Sequence, residues 1–421
     1  MAAAPPPHPF RIANFRHYWA ARLAATLAQT AMMLIMGWQV YNLARAGGMS
    51  VGAASAQLGL IGLIQFVPLF ALTPVTGWVA DRLDRRHVAR ATIALQIVTA
   101  GALAALTWTG GIGIGALFGA AFALGIARAF SGPALGALAP NLVPRESLPS
   151  AIALSSISWQ AGMIAGPGIG GYLFAWFPAG AYLGSTALFV AALLFLFLIG
   201  PVARPPIDRE RHPIRQMIDG LHYVRENRLV LAAITLDLFA VFLAGATALL
   251  PVYARDILAV GPEGLAQLGA APAVGATATA LLFSFRPLKT NVGVKMLWAV
   301  VVFGAATIVF GLSTWMPLSL AALVVVGGAD MFSVYIRQSL IQLHTPDAMR
   351  GRVGAVSQLT ISASNELGEA ESGFLAALVG PVAAVVAGGA GAIAITLAYA
   401  GRFPELRHAR SFDPPKTESG P

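Results

Sequence analysis

Seven ionisable side chains interrupt stretches of the sequence that are otherwise apolar, and their types and spacing could do chemistry. They are Arg128, Asp237, Asp330, Arg337, Glu366, Glu369 and Glu371. Carboxyl groups that lie close together in an apolar environment can exchange protons near neutral pH, whereas an arginine keeps its charge. We therefore interpret the acids as candidates for proton coupling, and all seven residues as candidates for binding a substrate.

The spacing of these residues leaves several pairings open. Glu366 and Glu369 are three residues apart and share one helix face, whereas Glu371 points elsewhere. Asp330 and Arg337 are seven residues apart, two helical turns, so they could simply pair with each other. Asp237 could be a proton or cation site, or it could only pair with the predicted helix 351–378.

The composition excludes most classes of protein. Hydrophobic residues make up 57% of the 421 residues and charged residues only 11%. Soluble domains carry about 25% charged residues, so a soluble protein is excluded. Disordered and collagen-like chains are excluded by the apolar content, and disulfide frameworks by the absence of cysteine.

The sequence also lacks the patterns of an enzyme. None of the seven histidines has a metal-ligand spacing, and no GxxxxGK[ST] phosphate-binding loop occurs. We therefore expect no enzymatic activity, no cofactor and no metal. The net charge of +9 could suit a nucleic acid, but basic loops kept on one side of a membrane explain it better. We expect a lipid bilayer, and no nucleic acid, as a partner.

Apolar segments long enough to cross a bilayer recur along the whole chain. The twelve predicted helices cover 17–44, 55–80, 89–109, 112–140, 148–176, 179–200, 229–256, 262–285, 292–313, 317–343, 351–378 and 380–401. They predict an all-α integral membrane protein. Its predicted parts are an N-terminal six-helix bundle (1–201), a central loop (202–228), a C-terminal six-helix bundle (229–401) and a tail (402–421). Most Lys and Arg residues fall on one side of this topology, which predicts a multi-pass protein with both termini in the cytoplasm.

The two predicted bundles are related by an internal repeat. A shift of 202 residues lays 144–175 over 346–377 without a gap and pairs Gly166 with Gly368. Two pseudo-symmetric halves of this kind are typical of transporters with a central site. The same shift pairs Arg128 with Asp330, so we interpret these two opposite charges as facing one central cavity.

The loop between the second and third predicted helices carries a recognisable signature. It resembles the GxxxDRxGRR motif of the major facilitator superfamily, and the matching residues are Gly77, Asp81, Arg82, Arg85 and Arg86. The sequence departs from the motif at Asp84, where the family usually has glycine, and this puts the turn geometry in doubt. The resemblance implies a gating loop that closes the cytoplasmic side.

The fifth predicted helix resembles the antiporter motif of the same superfamily, GxxxGPxxGG. The matching residues are Gly162, Gly166, Pro167, Gly170 and Gly171. A smooth glycine face would also serve simple helix packing. In the superfamily this motif is associated with exporters, so the resemblance implies outward transport.

The segment 350–373, with NFRHYW and WQVYNL near the first helix, resembles a narrower group, the bacterial enterobactin-exporter-like branch. The resemblance implies a monomeric transporter of the bacterial inner membrane. It would export a siderophore, drug or related amphiphile by proton antiport with alternating access. Two alternatives remain open: a proton- or cation-coupled importer of the same fold, and a non-transporting membrane sensor or assembly protein.

Overall fold

The computed structural model describes residues 7–201, 213–286, 288 and 290–412, and every regular element within them is helical. The first half of the chain forms six long helices. They are α1 (Ala13–Ala46), α2 (Val51–Arg82), α3 (Arg85–Trp108), α4 (Ile114–Leu138), α5 (Leu148–Trp176) and α6 (Pro178–Phe197).

The second half begins with a short helix and continues with a second set of long ones. The helices are α7 (Pro213–Glu226), α8 (Arg228–Leu243), α9 (Leu250–Val252), α10 (Gly261–Phe285), α11 (Val292–Leu312), α12 (Met316–Leu343), α13 (Asp347–Val379), α14 (Pro381–Arg402) and α15 (Pro404–Arg407). The amphipathic helix α7 lies within the predicted central loop, 202–228.

Polar caps fix where several of these helices begin. The Ser50 hydroxyl accepts a hydrogen bond from the Ala53 amide at the start of α2, at 3.2 Å. The Asn227 side chain accepts one from the Val230 amide at the start of α8, at 3.1 Å. Such caps satisfy amides that the first helical turn leaves without partners.

Ten spans in the described residues are long and apolar enough to cross a membrane. The remaining two long helices are α5, which is rich in serine and glycine, and α13, which carries the cluster of acids. Together they give the twelve predicted helices, and the all-α membrane fold is confirmed.

The seventh predicted helix is not continuous, and on this point the sequence-based expectation of one helix over 229–256 is wrong. Helix α8 ends at Leu243, a 3-10 turn covers Ala246–Leu249, and a π turn at Tyr253–Ile257 follows α9. The break lies where Gly245 meets α13. A Cβ atom at Gly245 would lie 2.8 Å from the carbonyl carbon of Gly368. The helix is therefore interrupted at the point where its backbone comes close to that of α13.

The chain folds into two compact units whose boundaries do not follow chain order. Unit 1 contains 1–210 and 250–270, and unit 2 contains 211–249 and 271–421. The apolar core of unit 2 joins α8, α11 and α12 through side chains such as Leu236, Met296 and Ile336. Helix α7 is held in unit 2, where Arg352 contacts Asp219 at 3.1 Å.

Candidate functional site

A cavity of about 170 Å³ lies inside unit 2. The break after α8 forms one side of it, through the backbone stretch from Ala244 to Thr247. The polar side chains on its wall are Asp330, Asn365, Glu369 and Thr307, and the aromatic ones are Phe303 and Phe310. Two of the acids predicted from sequence therefore share a wall with apolar rings.

Unit 2 also contains a buried ion pair that does not line the cavity. Arg337 Nη1 of α12 lies 2.5 Å from Asp237 Oδ2 of α8, and the two side chains are 2% and 5% exposed. A buried charge without a partner is very costly, so each of these residues requires the other. Arg337 thus pairs with Asp237, and not with Asp330 as its position two turns away had suggested. Asp237 likewise forms its ion pair with α12, where the sequence left open a pairing with the helix that is now α13.

The three acids of α13 lie in different surroundings. Glu369 lines the cavity, whereas Glu366 is buried with 2% exposure. Glu371 accepts a hydrogen bond of 3.4 Å from the Ser372 hydroxyl. Helix α13 can pass close to α8 at this level because Gly368 has no side chain. A Cβ atom there would lie 2.9 Å from the Val241 carbonyl oxygen.

Arg128 lies in unit 1, on α4. Its Nη1 donates a hydrogen bond of 3.2 Å to Gln65 Oε1 of α2. One turn earlier, Gly125 brings the two helices together, since a Cβ atom there would lie 2.6 Å from the Gln65 carbonyl oxygen. That Arg128 and Asp330 face one central cavity stays a prediction.

The glycines of α5 form a packing seam in unit 1. Cβ atoms at Gly162 and Gly170 would lie 2.6 Å from Thr26 Cβ and 2.8 Å from Ala31 Cβ of α1. At Gly166 the same atom would collide with the Thr30 hydroxyl, which itself donates a hydrogen bond of 3.0 Å to the Gly162 carbonyl oxygen.

The seam continues onto a segment from the second half of the chain. Gly171 lies against Ala266 of α10, and Gly269 of α10 meets Pro167. All five predicted motif residues of α5 therefore lie at or beside close helix contacts. Any side chain larger than glycine would force α5 away from its neighbours.

The family model described as "Transmembrane secretion effector" matches residues 4–417. The chain belongs to this family. It is a multi-pass membrane transporter of the major facilitator superfamily, and its family and relatives are transporters, not enzymes.

Curated relatives of this chain include the enterobactin exporter EntS of Escherichia coli strain K12. It is 28% identical over 407 residues, covering 94% of this chain and 90% of that protein. The enterobactin exporter EntS of Shigella boydii serotype 18 has the same identity and coverage. The predicted resemblance to the superfamily and to its enterobactin-exporter-like branch is confirmed.

Solved structures share the fold. A bacterial homolog of the human lysosomal transporter Spinster, inward-facing and occupied, has a TM-score of 0.74 at 14% identity, covering 95% of this chain and 99% of that one. The inward-open xylose transporter XylE from E. coli has a TM-score of 0.68 at 13% identity, covering 93% and 96%.

The gating-loop motif of this superfamily member is only partly described. Gly77, Asp81 and Arg82 lie in the last two turns of α2, and their surroundings fall outside the described part of the structure. Arg85 and Arg86 begin α3. The departure from glycine at Asp84 has a clear physical reason, because Asp84 caps α3. Its Oδ1 accepts a hydrogen bond of 2.9 Å from the Arg86 amide, and its Oδ2 lies 2.7 Å from Arg86 Nη2. The hydrogen bonds and charge of Arg86 hold the pKa of Asp84 at about 2.

Both units contain polar or wall residues that the sequence did not predict. In unit 1, Asp256 accepts a hydrogen bond from Tyr41 and lies 3.3 Å from Arg45 Nε. In unit 2, Asn365 and Phe310 line the cavity but were not predicted as site residues. A weak signal existed for the wall, since Asn365 precedes Glu366 in the acidic run of α13.

Proposed function

We propose that this transporter exports a small organic molecule, a siderophore, drug or related amphiphile, across the bacterial inner membrane by proton antiport. It works as a monomer by alternating access, with both termini in the cytoplasm. One observation carries the proposal: two carboxyl groups, Asp330 and Glu369, line a cavity within a membrane-spanning helical unit.

Carboxyl groups in membrane-spanning helices carry a free-energy cost that a purely structural protein has no reason to bear. A charged group in a membrane helix costs about 2.5–3.5 kcal/mol on insertion scales and usually marks an ion or substrate path. Asp237 forms an ion pair with Arg337, whereas Asp330 and Glu369 line the cavity. Protonation of these two groups is the coupling step that we propose.

The helix break beside the cavity supports a binding role. Interrupted membrane helices form substrate and ion sites in many transporters, because their ends present backbone groups to the ligand. Here Ala244 and Gly245, the two residues that follow α8, lie on the cavity wall.

The direction of transport rests on α5 and on the relatives. The glycine seam with Pro167 matches the motif that accompanies export in the superfamily, and the curated relatives are named as exporters. The membrane potential supplies enough energy for export. One proton moving through 100 mV releases about 2.3 kcal/mol, which can sustain a substrate gradient of roughly fifty-fold.

Inside-out membrane vesicles test the proposal. We expect energised vesicles with the protein to accumulate enterobactin or ethidium, and a protonophore to abolish the accumulation. Asp330→Asn and Glu369→Gln should reduce it at least tenfold. The matched control is Glu226→Gln, which removes a carboxylate that is 66% exposed on α7.

The alternatives give different results in the same assay. Accumulation only in right-side-out vesicles would identify an importer. No accumulation of any tested compound in either orientation would favour the sensor or assembly protein.

A further inference from the structure

We propose that one face of helix α7 binds the surface of a bilayer that contains anionic lipids. This face consists of Ile218, Leu221 and Arg225, and we name it the α7 strip. The position of α7 beside the membrane-spanning helices, the apolar side chains of the strip and its charge all favour this partner. The contact is with lipid, so it is independent of the cargo and of the direction of transport.

The opposite side of α7 is held on the protein by a buried strip at positions 217, 220 and 224. Gly220 lies against α13, since a Cβ atom there would lie 2.7 Å from the Arg352 carbonyl oxygen. Val224 is buried and, with Met217, packs in a cluster that joins α7 to the ends of α8, α12 and α13. Residues spaced i, i+3 and i+7 lie along one side of a helix, so this side of α7 is fixed on unit 2.

The contacts of α7 place it at the level where membrane-spanning helices begin or end. Asn227 alone separates α7 from α8, and a span that is long and apolar enough to cross a membrane starts at Arg228. The Tyr223 hydroxyl donates a hydrogen bond of 2.6 Å to the carbonyl oxygen of His344, which follows the span Met316–Leu343. Successive turns of α7 are held at this boundary, so the helix runs along the membrane surface.

The α7 strip is the buried strip shifted by one residue, so it lies about 100° further around the helix. In it, Ile218 is 58% exposed and Leu221 is 45% exposed. The next strip, Asp219, His222 and Glu226, is polar. A helix whose free sides both faced water would be polar in both strips. A helix in a bilayer interface instead presents apolar side chains to the lipid and polar ones to the water, and this is the pattern of α7.

The charge of α7 favours anionic lipids. Arg225 continues the strip and is exposed. The two acids of α7 lie beside basic groups: Asp219 is 3.1 Å from Arg352, and Glu226 is 3.1 Å from the imidazole of His222. The whole stretch 202–228 contains six arginines and four acids. Basic segments next to a membrane helix attract anionic headgroups, so the strip complements phosphatidylglycerol better than a zwitterionic lipid.

Spin labels test the position of the strip. The sequence contains no cysteine, so each introduced cysteine gives one labelled site on the full-length protein. Ile218→Cys and Leu221→Cys report on the strip. The matched control is Glu226→Cys, on the polar side of the same helix, where the carboxylate is 66% exposed.

The labelled proteins would be placed in nanodiscs of phosphatidylcholine and phosphatidylglycerol, and power-saturation EPR would compare two relaxation reagents. Oxygen concentrates in lipid, and a nickel chelate stays in water. We expect labels at 218 and 221 to be relaxed mainly by oxygen, and the label at 226 mainly by the nickel chelate.

Nanodiscs of phosphatidylcholine alone test the charge. We expect the ratio of oxygen to nickel accessibility at 221 to be roughly twofold higher when phosphatidylglycerol is present. Arg225→Gln, added to Leu221→Cys, should abolish this difference, and Arg225→Lys should preserve it. Size-exclusion profiles and melting temperatures establish which variants are folded, and the comparison of the two lipids on Leu221→Cys needs no second substitution.

Relaxation mainly by nickel at 218 and 221 would show that the strip faces water and would overturn the proposal. Low accessibility to both reagents would show that a protein surface covers the strip, and this result would overturn it as well. Equal ratios in the two lipid compositions would overturn the assignment to anionic lipids. Each readout is independent of transport, so failure here would leave the proposed export standing.

Discussion

Helices α5 and α13 occupy equivalent places in the two halves of the chain and have diverged in what they do there. A shift of 202 residues lays Gly166-Pro167 of α5 over Gly368-Glu369 of α13. At each of these glycines the helix packs closely against the backbone of a neighbouring helix. A Cβ atom at Gly166 would lie 2.8 Å from the Leu27 carbonyl oxygen, and one at Gly368 would lie 2.9 Å from that of Val241.

The next residue and the neighbouring helix differ. In unit 1, Pro167 follows the glycine and the neighbour α1 continues unbroken for 34 residues. In unit 2, Glu369 follows and the neighbour α8 stops after 16 residues, beside the cavity. One repeat element therefore serves as a packing seam in one half of the chain and as a wall of a cavity in the other.

The largest effect is expected from breaking the buried ion pair between Asp237 and Arg337 in unit 2. Asp237→Ala would leave Arg337 buried without its charge partner, and we expect a destabilisation of about 3–5 kcal/mol, measured by reversible unfolding in mixed micelles. The paired replacement Asp237→Leu with Arg337→Met should recover most of that loss. A single variant as stable as the unchanged protein would contradict the ion pair.

The sequence predicts long elements well and tertiary breaks poorly. The predicted helix 148–176 agrees with the bounds of α5, because its apolar length and its flanking loops are local features. The break after Leu243 could not be read from the sequence, since 243–250 contains no charged residue and no proline. Its cause is the approach of Gly245 to Gly368, more than 120 residues away.

For the candidate site, too, the sequence predicted local features but not contacts between distant residues. The acids Asp330 and Glu369 stand out because they interrupt apolar segments, and both line the cavity. The partner of Asp237 was missed because spacing along one helix shows only local pairs, and Arg337 is 100 residues further along the chain.

A second test breaks the α5 side of the comparison. Gly166→Ala would place a methyl group against Leu27 and the Thr30 hydroxyl, and overpacking of this kind costs about 1–3 kcal/mol. Gly168→Ala is the matched control, because a Cβ atom there meets nothing within 4 Å. Thermal melts should separate the two variants; equal melting temperatures would show that the seam is not tightly packed.

A smaller effect is expected from the side-chain hydrogen bond that Thr30 donates across the seam. Thr30→Val keeps the shape and removes the donor to the Gly162 carbonyl oxygen at 3.0 Å, for a loss of about 1 kcal/mol in unfolding free energy. Combining it with Gly166→Ala should give less than the sum of the two losses, since both changes affect the same contact. Full additivity would indicate that the hydrogen bond and the seam are independent.

The smallest effect is expected at Asp84, which belongs to neither helix and sets a baseline for both. Asp84→Asn keeps a capping side chain and removes the ion pair with Arg86, for about 0–1 kcal/mol at neutral pH. Because the pKa of Asp84 is lowered to about 2, its contribution is complete above the ordinary aspartate value of about 4 and disappears as the pH falls toward 2. Melting temperatures between pH 2 and 5 should therefore fall less steeply in the variant; parallel curves would contradict this assignment.

The segment 250–270 comes from the second half of the sequence and completes unit 1. Pro251 covers Gly37, and Asp256 joins Tyr41 and Arg45. The polypeptide thus passes from one unit to the other three times, and no single cut yields both units whole. A fragment that stops before the central loop would expose the face of α1 that this segment covers, and a separately expressed second half would carry a piece that belongs to its missing counterpart. The two halves of this transporter can be duplicated in sequence, yet they can be completed only as one molecule.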